Sequence, residues 1–187
     1  MASISLFSPT ESLQVACVES QPFGENTYVV SRAGDRRCIV IDPGFEPQAI
    51  IDWLDSHGLE PEAILLTHGH SDHIAGNATL RDRWPLMPIV IGRHDAAKLT
   101  NPAGILSAAF GMSLVSPPAD RLLDHSERIS LAGLDLAVRE IPGHSLGHVV
   151  FVAEGLTPPV VFGGDVLFKE GVGRSDFTDG DFTALAA

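Results

Sequence analysis

Eight of the 187 residues are His, and five of them crowd into two short segments. The denser is Thr67-His68-Gly69-His70-Ser71-Asp72-His73, which holds three imidazoles and a carboxylate. Side chains two apart in extended backbone point the same way, so His68 and His70 can face one point, with Asp72 and His73 on the loop just beyond. Imidazole nitrogens with a carboxylate suit Zn²⁺, Fe or Mn²⁺. No Cys lies nearby, which disfavours a closed structural zinc site. The second segment is Pro142-Gly143-His144-Ser145-Leu146-Gly147-His148, and a third polar feature, Gly163-Gly164-Asp165, ends an apolar run. Alone, a His in a Gly turn and an Asp at a strand end are ordinary turn chemistry. They join one site only if three strand ends meet at one edge of the fold.

The elements that must position these groups are short. Leu13–Val18, Thr27–Val30 and Cys38–Ile41 read as strands, the last stopping at the turn Asp42-Pro43-Gly44. Pro47 to His57 reads as a helix with Ile50, Ile51 and Leu54 on one face, Pro47 in its first turn and Gly58 beyond its end. Ala63-Ile-Leu-Leu66 is too short for a helix and too apolar for a surface strand, so a central strand is expected. It runs directly into the His-rich segment. A helix from about Ile74 to Trp84, a strand at Pro88–Ile91 and a short helix at 95–99 follow. Residues 101–120 read as a long surface excursion, a candidate wall for an active site. Three strands complete the pattern: Leu134–Glu140, His148–Ala153 and Val160–Gly163. Strands and helices alternate, with several hairpin-like strand pairs, so the expected fold is α/β, layered, with mixed sheets.

Composition narrows the classes of function. Twelve Lys and Arg against 24 Asp and Glu give a net charge of −12. That balance argues against nucleic-acid and anionic-membrane partners, which need clustered cations. The mean hydropathy of +0.17 fits a folded chain of one domain, residues 1–187. No apolar run approaches the roughly 20 residues that span a bilayer, and the N-terminus lacks a basic export-signal region. Cys17 and Cys38 sit in strand-like runs and read as buried thiols of a cytoplasmic protein.

Thr67-His-Gly-His-Ser-Asp-His73, with Pro142-Gly-His144 and Gly164-Asp165 at these intervals, resembles the metallo-β-lactamase superfamily. The resemblance runs from Asn26-Thr-Tyr-Val-Val30 and Ile41-Asp-Pro-Gly44 to Gly173-Arg-Ser-Asp-Phe177. Within that superfamily the sequence is most similar to small bacterial glyoxalase II-like (hydroxyacylglutathione hydrolase-like) enzymes. The resemblance implies a four-layer αββα sandwich with metals between the edges of two mixed sheets, its C-terminal part missing here. It implies that His68, His70 and His144 bind a first metal, that Asp72 and His73 bind a second, and that Asp165 bridges both. His148 matches a recurring second His of its turn and is expected to support the site rather than ligate. The family's further His near the C-terminus has no counterpart within 187 residues, so a truncated chain or an incomplete second site is expected. Two Zn²⁺ per chain are expected if that ligand is supplied from elsewhere, with Fe or Mn as alternatives. His94 matches no family ligand and reads as a cap or surface residue, and His57 and His125, in polar, turn-like contexts, are assigned no function.

A Zn²⁺ ion lowers the pKa of its water to roughly 7, which provides a hydroxide at neutral pH. Asp72 is placed to orient that water. The expected activity is hydrolysis of a small thioester of the hydroxyacylglutathione type, which needs no Ser or Cys nucleophile. Lys169 and Arg174 follow Asp165 closely and could meet an anionic substrate, or serve surface solubility or a salt bridge. Two other readings stand beside it. Gly173-Arg-Ser-Asp-Phe177 also resembles a segment of persulfide dioxygenases, whose single iron would fall to His68, His144 and Asp165. A non-catalytic role, as an inactive truncated member of the superfamily, is the third.

Overall fold

A computed structural model describes residues 2–101 and 114–187. Seven strands form the first sheet in chain order: β1 (Ser3–Thr10), β2 (Leu13–Ser20), β3 (Glu25–Arg32), β4 (Arg37–Ile41), β5 (Glu60–Leu66), β6 (Ile89–Gly92) and β7 (Arg121–Leu123). The strands β1 to β4 pair antiparallel, whereas β4 to β7 run parallel. The second sheet is antiparallel, β11 (Val160–Phe162), β10 (Val149–Ala153), β9 (Leu134–Glu140) and β8 (Arg128–Leu131). A small hairpin, β12 (Leu167–Phe168) with β13 (Gly171–Val172), follows.

The parallel strands need crossovers, and helix α1 (Pro47–His57) supplies the first. Pro47 starts it, and Gly58 ends it at φ 61°. Its buried Ile50, Ile51 and Leu54 each contribute about 1.5–3 kcal/mol by leaving water. They pack with Leu80 of α3 (Asn77–Arg83) against Ile64 and Leu66 of β5. The opposite face of β5, Ala63 and Leu65, meets Val138, Val149 and Phe151 of the second sheet. All four residues are fully buried, as a parallel strand covered on both sides requires. Helices, first sheet and second sheet are thus three successive layers of the expected αββα order. Arg128, Arg139 and Glu154, which alternate with the core residues of the second sheet, join as ion pairs on its other face.

Three expectations are corrected. The helix expected at 74–84 is two: α2 (Ser71–Ile74) and α3, separated at Ala75-Gly76. Gly76 donates its N–H to the Pro43 carbonyl at 2.7 Å, so the chain is held against the Asp42 turn instead of continuing one axis. Asp72 and His73 therefore lie on a helical turn, not a loop. The short helix at 95–99 is a 3₁₀ segment over Arg93–Leu99. Strands β1, β7, β8, β12 and β13 were not anticipated: β1 is an exposed edge strand and the others span only two to four residues. Most of the expected excursion at 101–120 lies outside the described residues. Cys17 and Cys38 are buried and free, as expected. The terminal helix α4 (Phe182–Leu185) is capped by Asp181, which accepts the N–H groups of Thr183 and Ala184.

Candidate metal centre

The C-terminal ends of β4 and β5, the β9–β10 turn and the end of β11 meet at one edge of the two sheets. Val149 N–H donates to the Thr67 carbonyl at 2.8 Å and joins the sheets there. This seam brings three His together. His68 Nε2 lies 3.0 Å from His70 Nδ1, His70 Nδ1 lies 2.9 Å from His144 Nε2, and His144 Nε2 lies 3.2 Å from His68 Nε2. A second group gathers His68, His73 and Asp165. Asp165 joins the two: Oδ1 is 3.3 Å from His73 Nε2, and Oδ2 is 3.3 Å from His144 Nε2. Asp72 stands close by, with Oδ2 3.8 Å from His73 Nε2 and a buried Oδ1 that has no described partner. All six sequence-predicted ligands therefore converge.

The tautomers are set from behind. His68 Nδ1 lies 3.1 Å from Thr67 Oγ1, and that hydroxyl donates to Asp42 Oδ2 at 2.6 Å. His73 Nδ1–H donates to the same Asp42 oxygen at 3.1 Å. His144 Nδ1–H donates to the Arg174 carbonyl at 2.8 Å. Each arrangement leaves Nε2 to face the cluster, the role of an outer hydrogen-bond partner at a metal site. His148 is fully buried, accepts the Asp165 N–H at 3.1 Å and stacks on His68. It supports the site, as the resemblance implied. Gly164, at φ 47°, makes this approach feasible: a Cβ there would sit 2.4 Å from Thr67 Oγ1 and 2.8 Å from His148 Nε2.

The electrostatics of the three-His group suit a cation. Burial, then the neighbouring imidazoles, push His68 well below the ordinary imidazole range and His70 and His148 down to about 3. These rings stay neutral, with lone pairs available. Burial opposes a charged His73, but Asp42 and Asp165 outweigh it and raise its pKa well above normal. Burial likewise opposes a charged Asp165, but the His73 hydrogen bond outweighs it and lowers that carboxyl to about 2. Three buried nitrogens with converging lone pairs, besides the orphaned Asp72 Oδ1, are costly unless a cation satisfies them. Ligands about 2.0–2.1 Å from a tetrahedral ion stand about 3.3 Å apart, close to the observed spacing. The residues fit a metal.

A cavity of about 400 Å³ opens on the Asp72, His73 and Asp165 side, with Phe23, Tyr28, Phe168 and Lys169 also on its walls. Glu25 lines it as well; burial raises its pKa to about 9, and its two oxygens have no described hydrogen-bond partner. Of the two cations singled out in the sequence, Lys169 borders this cavity. Arg174 instead forms a bidentate pair with Asp176 and lies over the Phe177 ring. Phe177 covers the other side, its ring centroid 4.7 Å from His70 and 5.4 Å from His144. His94 is exposed beside Glu140, His57 stacks on Trp53 and His125 accepts from Glu140 N–H, all away from the cluster.

Sequence reasoning missed Asp42, Asp95 and Phe177 as members of this neighbourhood. Asp42 did leave a trace, an acidic residue ending an apolar strand just before Pro-Gly. Phe177 too left a trace, as the last residue of the Gly173–Phe177 segment in which the resemblance lies; nothing local marked Asp95.

This fold and this edge define an α/β sandwich of two sheets with a buried His and Asp cluster fit for a metal. The chain belongs to the metallo-β-lactamase superfamily, whose pattern it matches over residues 20–187. It is 36% identical over 158 residues to a hydroxyacylglutathione hydrolase of Xanthomonas oryzae pv. oryzae, covering 81% of this chain and 50% of that protein. The chain thus spans about half the length of the hydroxyacylglutathione hydrolases it matches. Among solved structures, it superposes on the BLEG-1 B3 metallo-β-lactamase with a TM-score of 0.84 at 34% identity, covering 90% and 80% of the two chains. It superposes on TTHA1623 in a di-iron-bound form with a TM-score of 0.78 at 34% identity, covering 91% and 81%. Among the described residues, no helix is long and apolar enough to cross a membrane.

Proposed function

We propose that the protein is a metal-dependent hydrolase of a small thioester of the hydroxyacylglutathione type. The observation that carries this reading is the pair of His groups joined by Asp165 beside an open cavity. The hydroxyacylglutathione hydrolases among its relatives support the substrate class. His68, His70 and His144 would hold a first divalent ion, and Asp72 and His73 a second, with Asp165 shared. Such ions polarise a carbonyl and supply an activated water near neutral pH.

The chain's own groups supply the rest. Asp72, with a buried, unpartnered Oδ1 and its Oδ2 3.8 Å from His73 Nε2, orients the water and takes up its proton. Burial raises the Asp72 pKa, which suits a proton acceptor. Lys169 at the cavity wall meets an anionic substrate, and Phe177 screens the three-His side from solvent. A thiolate leaves without help, so no further general acid is required. The substrate is a small molecule; with a net charge of −12, nucleic acid and anionic membranes are poor partners. A cytoplasmic setting agrees with two free, buried thiols.

The test is loss of the thioester absorbance of S-lactoylglutathione, with O₂ excluded, on protein whose metal content has been measured. Turnover by metal-loaded protein, abolished in His68→Ala, is expected. No thioester hydrolysis by a metal-loaded chain overturns the proposal. O₂ uptake with glutathione persulfide would then favour the iron dioxygenase reading on His68, His144 and Asp165, and turnover of a β-lactam would favour the chemistry named for BLEG-1.

A further inference from the structure

Asp95 lies in the 3₁₀ segment directly after β6, and its side chain is completely buried. Its Oδ2 accepts the Gly69 N–H at 2.9 Å and the Ser145 hydroxyl at 2.8 Å. Its Oδ1 accepts the Gly147 N–H at 2.9 Å and lies 2.9 Å from Lys98 Nζ. Gly69 separates His68 from His70, while Ser145 and Gly147 stand between His144 and His148. One carboxylate therefore grips both backbone segments that deliver the three converging nitrogens.

The backbone leaves room for that grip and no more. A Cβ on Gly69 would stand 2.7 Å from Lys98 Cβ and 3.0 Å from the Asp95 carbonyl. A Cβ on Gly147 would stand 2.4 Å from Asp95 N and 2.7 Å from Asp95 Oδ1. Both glycines are spaces that the Asp95 turn fills. A carboxylate that only capped its own turn would accept from residues two or three further on. Three of the donors here lie 26, 50 and 52 positions away in sequence. Lys98 extends the network, since Nζ also reaches Asp179 Oδ2 at 2.6 Å, and that oxygen accepts the Leu146 N–H at 3.2 Å. The segment that carries Phe177 is thus tied to the same hub. Four donors around one buried carboxylate offset its desolvation.

We propose that Asp95 is a positioning residue for the metal: it sets the separation between the His68–His70 segment and the His144 turn. It touches no ion. This rests on reading the three-His cluster as a metal site, so the experiment must separate the two claims. Asp95→Asn keeps the shape and one acceptor oxygen. Its NH₂ must face either Gly69 N–H, where the Ser145 hydroxyl can turn to accept but the amide cannot, or Gly147 N–H and Lys98; a donor meets a donor either way, which frees one segment.

The measurement is zinc and cobalt(II) affinity of metal-stripped full chain, by competition with a chromophoric chelator. Cobalt absorption spectra and Tm are recorded with and without metal. Wild type should bind. Asp95→Asn should bind about 10–100-fold more weakly, as for loss of an outer partner of a metal site, with an altered cobalt spectrum and a smaller rise in Tm on metal addition. Ser145→Ala removes a single donor and should weaken binding in the same direction by less. Wild-type affinity and spectrum in Asp95→Asn overturn the proposal, including where Tm falls equally with and without metal, because that is a purely structural role. If Asp95→Asn does not fold, Ser145→Ala decides: weakened affinity supports the proposal and unchanged affinity overturns it. A wild-type chain that takes up no metal overturns the cluster reading and this proposal with it, whereas wild-type binding with unaffected variants overturns only the positioning role.

Discussion

The two sides of the metal centre are built differently. On one side His68, His70 and His144 present three nitrogens within 2.9–3.2 Å of one another, nearly sealed from solvent beneath Phe177. On the other, His73 Nε2 stands 3.3 Å from Asp165 and 3.8 Å from Asp72, so that carboxylates join an imidazole, and all three border the cavity. Neutral imidazoles can be buried at modest cost where the second nitrogen has a partner, as in His68 and His144, so most of the three-His side can be packed like a core; His70 Nε2 is the exception, buried with no described partner. Carboxylates are costlier to dehydrate, and Asp165 sits where water can still reach, its side chain 26% exposed. The sealed side is shaped for holding and the open side for reacting.

The most damaging way to break that contrast is His68→Ala, because His68 belongs to both groups. Metal content by mass spectrometry and thioester turnover should both fall to the level of metal-stripped protein. Retention of one tightly held ion would show that the two sides bind independently.

A sharper comparison sets His70→Ala against Asp72→Ala. Removing His70 opens the sealed side and should cost metal affinity first. Removing Asp72 should leave one ion at wild-type affinity while kcat falls by about 10²–10⁴-fold, the range for loss of a general base. Equal metal loss in both variants would erase the distinction between holding and reacting.

Leu65→Ala tests whether the sealed side owes its geometry to the packing beneath it. Leu65 is fully buried in the inter-sheet core, two residues before Thr67. Truncation should cost about 2–5 kcal/mol by denaturant unfolding and leave metal stoichiometry unchanged. Loss of metal in that variant would mean that the core and the site are one cooperative unit.

The smallest effect concerns alkaline pH. Burial pushes the Cys17 thiol up to about 11 and the Cys38 thiol up to about 12, from 9.0. Unfolded chain releases these protons above about pH 9 and folded chain keeps them, so stability falls as pH rises from about 9 through 11–12. The Tm of Cys17→Ala/Cys38→Ala should fall less steeply across that window. An identical slope would place the alkaline sensitivity elsewhere, at the site's own groups.

How much was legible in advance follows from range. Helix α1 could be read because its signals are contiguous: Pro47 at the start, three apolar residues on one face, and Gly58 past the end. The β5-to-His run could be read because four apolar residues lead directly into the ligands. Edge strand β1 could not, since Ser3–Thr10 is almost wholly exposed and its Ile4–Leu6 alternation is cut short by Phe7, Ser8 and Pro9. The break between α2 and α3 also escaped, because it depends on Gly76 bonding to a carbonyl of the Asp42 turn.

By itself, the sequence determined the kinds of ligand, their spacing within each segment and the apolar strand that presents the first of them. Those are local properties, set by residue type and backbone period. Only the tertiary structure decided that Asp165 faces both His groups, that Asp42 holds His73, that Phe177 covers His70 and His144, and that Asp95 ties two segments together. These relations join residues far apart along the chain, and the packing of one sheet against the other sets their distances.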